Sequence, residues 1–198
     1  MQTLANQVLK HANGLAEGTP LVAKGLLHLG SRAAVDQVLS RLVKRGTILR
    51  AGRGIYVLPV TSQFGSRAPS TGKMVEALST LSGETIVLHG GAAANTLGMT
   101  TQVPMRAVYL TSGSSRRLKL GKQIVEFRHA PAWQLISPGR IAGDVVRALA
   151  WLGPDKAGKA LQILSIKLTS AEMKEVTSAR ARLPMWMAQE LSNLVSSG

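Results

Sequence analysis

Between two glycines, residues 30–46 run Gly-Ser-Arg-Ala-Ala-Val-Asp-Gln-Val-Leu-Ser-Arg-Leu-Val-Lys-Arg-Gly. Val35, Val38, Leu39, Leu42 and Val43 recur at i, i+3, i+4, i+7 and i+8, a spacing that gathers them on one side of a helix. Ser31 stands at the N-cap, where a hydroxyl can accept from the backbone of the first turn, and Gly46 stands where a helix stops. The opposite face carries Asp36, Gln37, Ser40, Arg41 and Lys44. Such a helix needs a small core beneath it and turns a polar, mostly basic face outward. In a chain with net charge +14, that build suits the major groove of DNA.

The flanking residues complete a unit. Leu4, Val8, Ala12 and Leu15 share one helical face. Thr19-Pro20 offers an N-cap followed by proline at the first helical position, which predicts a second helix through Leu26, Leu27 and His28. Leu29-Gly30 closes it, and two helices joined by so short a turn make a helix-turn-helix. The β-prone runs 47–50 and 54–58 flank Ala51-Gly52-Arg53 as a hairpin, ended by Pro59. Three helices and a hairpin predict a winged helix-turn-helix over residues 1–60.

Residues 61–72 are rich in turn formers and lack any period, so they read as a linker. Residues 73–198 form a larger domain. Helix is expected over 73–81, strand over 85–88, a small helix over 92–97 and strand over 106–111. A hairpin of 117–120 with 123–128 turns at Gly121-Lys122. From Ile141 the chain is largely helical, with breaks near Gly153-Pro154, Leu168-Thr169 and Leu183-Pro184. The fold class is therefore α+β, with a helical tail.

The 24 basic and 10 acidic side chains favour a polyanionic partner. Residues 1–60 hold 8 basic and 2 acidic side chains, and the rest of the chain 16 and 8. The absence of cysteine excludes disulfides, thiolate metal sites and a cysteine nucleophile. No apolar run approaches the roughly 20 residues of a membrane span, and residues 1–10 lack the pattern of a signal peptide. A cytoplasmic protein with no membrane partner is the expectation.

On the 31–45 helix the residues nearest the start reach base edges. Arg32 can pair with guanine, Gln37 with adenine, and Ala33 can touch a thymine methyl. Asp36 either accepts from cytosine or holds Arg32 or Ser40 in place. Arg41, Lys44 and Arg45 suit phosphates, and Ser31 and Ser40 complete the expected contact set. Arg50 and Arg53 sit among the glycines of the wing, which can approach the minor groove or the backbone. A second basic group, Arg116, Arg117, Lys119, Lys122 and Arg128, extends the DNA footprint, receives RNA or an acidic protein, or is simply a solvated sheet face. Arg117 and Lys119 point opposite to Leu118 and Leu120 if the segment is a strand. His89-Gly90-Gly91 is either an anion-binding turn or a tight strand-to-helix connection.

Enzymatic chemistry finds little footing. Only Glu172 and Glu175 among the acids lie within four residues of each other, and His11, His28, His89 and His129 lack ligand spacing. No phosphate-loop or nucleophile-elbow motif is present. No catalytic residue, metal or cofactor is expected. The competing reading is a nucleic-acid-modifying or nucleotide-binding enzyme centred on 89–95 and 112–117. A pure interaction module bridging DNA and an acidic partner is a third.

The string from Leu29 to Ile48, followed by Arg53-Gly-Ile-Tyr56, resembles the winged-helix start of the AbiEi-type antitoxins of bacterial type IV toxin–antitoxin systems. The likeness continues through His89-Gly-Gly-Ala-Ala-Ala-Asn-Thr-Leu-Gly98, Gln102-Val-Pro104, Val108-Tyr-Leu-Thr-Ser112 and Phe127-Arg-His-Ala130, spanning about residues 20 to 130. The resemblance implies a bacterial autorepressor that binds inverted repeats in its own promoter. It also implies neutralisation of a nucleotidyltransferase-like toxin by the region after about residue 70, without need of a stable complex. A solitary DNA-binding regulator with no toxin is the alternative.

Overall fold

The computed structural model describes residues 3–63, 65–102 and 105–196. Met1 and Gln2, Phe64 of the expected linker, and Val103 and Pro104 of the antitoxin-like string lie outside the described residues. The chain is α+β and packs into two units: Met1–Glu84 with Arg116–Glu126, and Thr85–Ser115 with Phe127–Gly198.

In the first unit, helix α1 (Leu4–Asn13) is capped by Thr3, whose hydroxyl accepts from Asn6 N. It buries Val8 and Ala12; Leu15 falls beyond its end. The helix expected after Pro20 does not form. Strand β1 (Leu21–Val22) and a 3-10 turn (Ala23–Leu26) stand there instead. Two things account for this. Gly25 costs a helix about 1 kcal/mol relative to alanine, and strand β3 (Ile55–Val57) supplies a partner, with Leu21 opposite Tyr56 and Val22 opposite Ile55. Strand pairing overrides the local helical signal.

Helix α2 (Arg32–Lys44) follows, with Ser31 Oγ accepting from Ala34 N at 3.3 Å. Val35, Leu39 and Leu42 are buried, while Val38 and Val43 pack at the margin of the same core. Gly46 has φ +72°, a left-handed conformation that suits its lack of a Cβ. Strand β2 (Leu49–Gly52) pairs with β3, Leu49 opposite Val57 and Gly52 opposite Ile55, with a bulge between Arg50 and Gly52. The bulge moves the hairpin tip to Arg53-Gly54, one residue beyond the 51–53 turn expected from the sequence.

The unit does not end at residue 60. The expected linker folds as a small hairpin of β4 (Val60–Ser62) and β5 (Gly65–Arg67), Val60 opposite Arg67. Helix α3 (Thr71–Ser82) buries Met74, Val75 and Leu78, and its expected core residue Leu81 is exposed. A loop from the start of the chain holds it: a Cβ on Gly18 would lie 2.7 Å from Met74 N. Strands β8 (Arg116–Leu120) and β9 (Gln123–His129) form the expected hairpin, whose 116–126 portion belongs to this unit.

In the second unit β6 (Ile86–Leu88) pairs antiparallel with β7 (Ala107–Thr111), and residues 127–129 of β9 run beside β7. Phe127 is buried and stacks on Tyr109 with ring centroids 6.0 Å apart. The short helix α4 (Gly90–Thr96) lies against α5 (Ile141–Leu152). Helices α6 (Pro154–Lys167), α7 (Ser170–Ser178) and α8 (Met185–Ser196) follow, with a 3-10 turn at Ala179–Arg182 before α8. Pro154 opens α6, and Thr169 with Glu172 forms a capping box on α7. Val145, Val146, Leu149, Leu161 and Leu164 centre the core. No helix among the described residues is long and apolar enough to cross a membrane.

Candidate nucleic-acid interface

The buried stripe of α2 leaves the other face open. Ser31, Arg32, Ala33, Asp36, Gln37, Ser40, Arg41, Lys44 and Arg45 are all exposed. They divide by what already engages them. Ser31 is committed to its cap. Arg32 Nε donates to Asp36 Oδ2 at 2.8 Å, one helical turn away. Of the partners open to Asp36, the fold supplies Arg32. Binding through Nε leaves the two terminal nitrogens of Arg32 for an outside acceptor, with the side chain held along the helix. Arg41, Lys44 and Arg45 make no ion pair among the described residues.

Beyond α2, Arg50 Nε donates to Gly52 O at 3.4 Å across the bulge, while Arg53 stands exposed at the tip. The tip can carry Arg53 because Gly54 takes φ +70° in the next position. The hairpin is therefore a thin basic edge joined to α2 through the same core, which includes Ile48 and Tyr56.

The second basic group separates into three parts. Arg116 donates twice to Glu84, at 2.7 and 3.2 Å, with only about a quarter of each side chain exposed. It is a clamp between β8 and the end of α3, not a free cation. Arg117 and Lys119 are exposed and Leu118 and Leu120 buried, the alternation expected of a strand. Arg117 reaches Glu126 at 3.8 Å; Lys119 and Lys122 are exposed and make no ion pair among the described residues. Arg128 is exposed and belongs to the second unit.

This partition changes the charge distribution. With 116–126 counted in the first unit, that unit holds 14 basic and 5 acidic side chains, net +9, and the second holds 10 and 5, net +5. A division at residue 60 puts +6 before it and +8 after. The folded chain therefore concentrates its surplus in the unit that carries α2.

The residues considered for enzymatic chemistry are engaged in packing. A Cβ on Gly90 would lie 2.3 Å from Arg147 O and 2.6 Å from Trp151 Cβ, so the glycine is demanded by the approach of α4 to α5. His89 caps α4, its Nδ1 accepting from Gly91 N at 3.2 Å. Of the two readings of this turn, the strand-to-helix connection fits better: the approach of α5 accounts for Gly90, and capping of α4 accounts for His89. Ser112 Oγ accepts from Thr85 N, and Ser115 Oγ from His129 N. Among the described residues no group of three His, Asp or Glu side chains is placed to hold a metal ion.

Three features escaped the sequence reading. Arg147 is buried at 1% exposure; it pairs with Asp144 at 2.7 Å and donates to the carbonyls of Gln134 and Ile136. Its position three residues after Asp144 was the available signal. Glu17 accepts from Lys73 Nζ and Ser70 N and lies 3.7 Å from Arg67, contacts 50 or more residues apart that no local pattern announces. His11 and His28 meet edge to face, their ring centroids 5.7 Å apart, a contact between α1 and the turn before α2 that no helical spacing announces.

No curated protein and no solved structure matches the chain. One family matches most of its length, over residues 7–176. The chain belongs to the Family of unknown function (DUF6088).

Proposed function

We propose that this chain is a sequence-specific DNA-binding transcriptional repressor, in which α2 enters the major groove and the β2–β3 hairpin serves as a wing. The observation that carries this reading is the state of the cations on α2. Arg41, Lys44 and Arg45 project from a helix fixed by a buried stripe, and among the described residues no acid pairs with them. The order helix, strand, short turn, helix, hairpin, with β1 beside β3, also favours a winged helix, whose second helix is here reduced to the turn at 23–26. Arg32, Ala33 and Gln37 are the proposed base contacts. Arg41, Lys44, Arg45 and Arg53 are proposed to hold phosphates.

The antitoxin role rests on the resemblance to AbiEi-type proteins. In that reading the inverted-repeat operator lies in the chain's own promoter, and the second unit carries neutralisation of a nucleotidyltransferase-like toxin.

A gel shift with duplex from the upstream region of the gene tests the DNA reading. The Arg41→Gln/Lys44→Gln variant should bind that duplex and a random one more weakly, in similar proportion, and the salt slope should fall by about 2. Undiminished binding by the double variant contradicts the assignment. The antitoxin role is tested separately, by co-expressing the same variant with the product of the adjacent gene. Protection should persist when DNA binding is lost. Point variants are preferable to deleting residues 1–60, because that deletion would tear Gly52 from its packing against Leu118.

A further inference from the structure

The β8–β9 hairpin is distinguished by what it touches. A Cβ on Gly52 would lie 2.7 Å from Leu118 Cδ2, so strand β2 of the wing and strand β8 are in direct contact within one unit. Gly52 precedes Arg53 at the wing tip, and Leu118 lies between Arg117 and Lys119. Each of these three cations is thus one residue, about 3.8 Å of backbone, from the same contact. Burial of Leu118 and Leu120 turns Arg117 and Lys119 outward. Lys119 and Lys122 make no ion pair among the described residues. Arg117 is 70% exposed and meets Glu126 only at 3.8 Å, a pairing that solvent largely screens.

A hairpin tip that reaches duplex DNA lies beside its backbone, where phosphate charge recurs about every 1.7 Å of helix axis. We propose that Arg117, Lys119 and Lys122 form a second phosphate-contacting strip, continuous with the wing, for the backbone flanking the base pairs read by α2. The inference rests on the DNA-binding reading above and adds a second element to its footprint. The strip supplies affinity and register without sequence preference, since ammonium and guanidinium heads on phosphates carry no base information. Contact with the wing selects duplex DNA as the occupant over an acidic protein or RNA.

The test uses the full chain and the Arg117→Gln/Lys119→Gln/Lys122→Gln variant, whose altered side chains are all exposed. Binding is followed by fluorescence anisotropy between about 50 and 200 mM salt. The probes are the upstream duplex, a random duplex of equal length and a single-stranded RNA. The triple variant should lose about 2–3 from the salt slope and about tenfold or more in affinity, equally on both duplexes. Glu126→Gln, which releases Arg117, should bind both duplexes about twofold more tightly, a gain that misfolding does not produce. Wild-type slope and affinity in the triple variant, while the Arg41→Gln/Lys44→Gln variant loses both, overturn this inference and leave the α2 reading standing. A loss confined to the RNA probe overturns it as well. Absence of duplex binding by the wild type overturns both readings.

Discussion

Glu17 and Lys73, 56 residues apart, are joined by a hydrogen-bonded ion pair of 2.5 Å between Oε2 and Nζ. The pair pins the loop after α1 to the first turn of α3, and the same carboxylate accepts from Ser70 N. It helps explain why α3 belongs to the α2-bearing unit.

The pair makes stability depend on acid. The Lys73 hydrogen bond and then the Ser70 N–H hold the Glu17 carboxyl below the usual range; burial opposes them, and the charges of Lys73 and Arg67 add a smaller lowering. A depressed folded value means that stabilisation is fully present above the unfolded value, about 4.3, and is lost as pH falls through the folded one. Denaturant melts should therefore show Glu17→Gln less stable than wild type at pH 7, with the gap closing below about pH 4. A gap unchanged in acid contradicts the assignment.

Arg32 and Asp36 should act as one device. If Arg32 reads a base, Arg32→Ala costs about 1–3 kcal/mol on the specific duplex and less on a random one. Asp36→Asn keeps the cation but releases its Nε, so it should blur base preference at that position while leaving affinity for random DNA equal or higher. Base-by-base substitution of the operator, titrated against both variants, reads this out. Identical base preference in Asp36→Asn and wild type would show that the pair does not orient Arg32.

Gly90 should tolerate no side chain. Its absent Cβ would fall on a backbone carbonyl, Arg147 O, which cannot step aside as a flexible side chain can. Gly90→Ala should destabilise by at least the roughly 1–3 kcal/mol typical of overpacking, seen as a lower Tm. Gly54→Ala meets no atom within 4 Å and strains only the positive φ, so its cost should be smaller. Equal Tm values for Gly90→Ala and wild type would remove close packing as the reason for the glycine.

Arg147 should be needed as an arginine. Arg147→Met removes the donor to Gln134 O and Ile136 O and leaves Asp144, one-fifth exposed, without its partner. Breaking a buried pair in this way costs about 3–5 kcal/mol. Arg147→Met/Asp144→Leu should recover part of the loss, because it also removes the stranded charge. Chemical denaturation of the three proteins checks the order.

Much of the fold is legible locally. The stripe of α2, its Ser31 cap and the breaks at Pro154, Thr169 and Pro184 depend on residues within a few positions of one another, and the structure places helix ends there. What failed depended on distant partners. Leu21 and Val22 form strand because β3 lies beside them, against the helical signal of Thr19-Pro20. Residues 61–72 lack a hydrophobic period because their short hairpin is largely exposed and buries almost nothing that a pattern could register. The same limit applies to the interface. The outward face of α2 follows from spacing alone. That Arg116 is tied to Glu84, while Lys119 stands open beside the β2–β3 hairpin, depends on contacts across more than 30 residues.

The central claim is that α2 reads DNA sequence. It is tested most directly by competition binding of the full chain, at physiological salt, between upstream duplex and a scrambled duplex of equal length and composition. The account predicts preference for the upstream duplex by about 10³ or more, reduced in Arg32→Ala. Equal affinity for the two duplexes, or binding to neither, contradicts it.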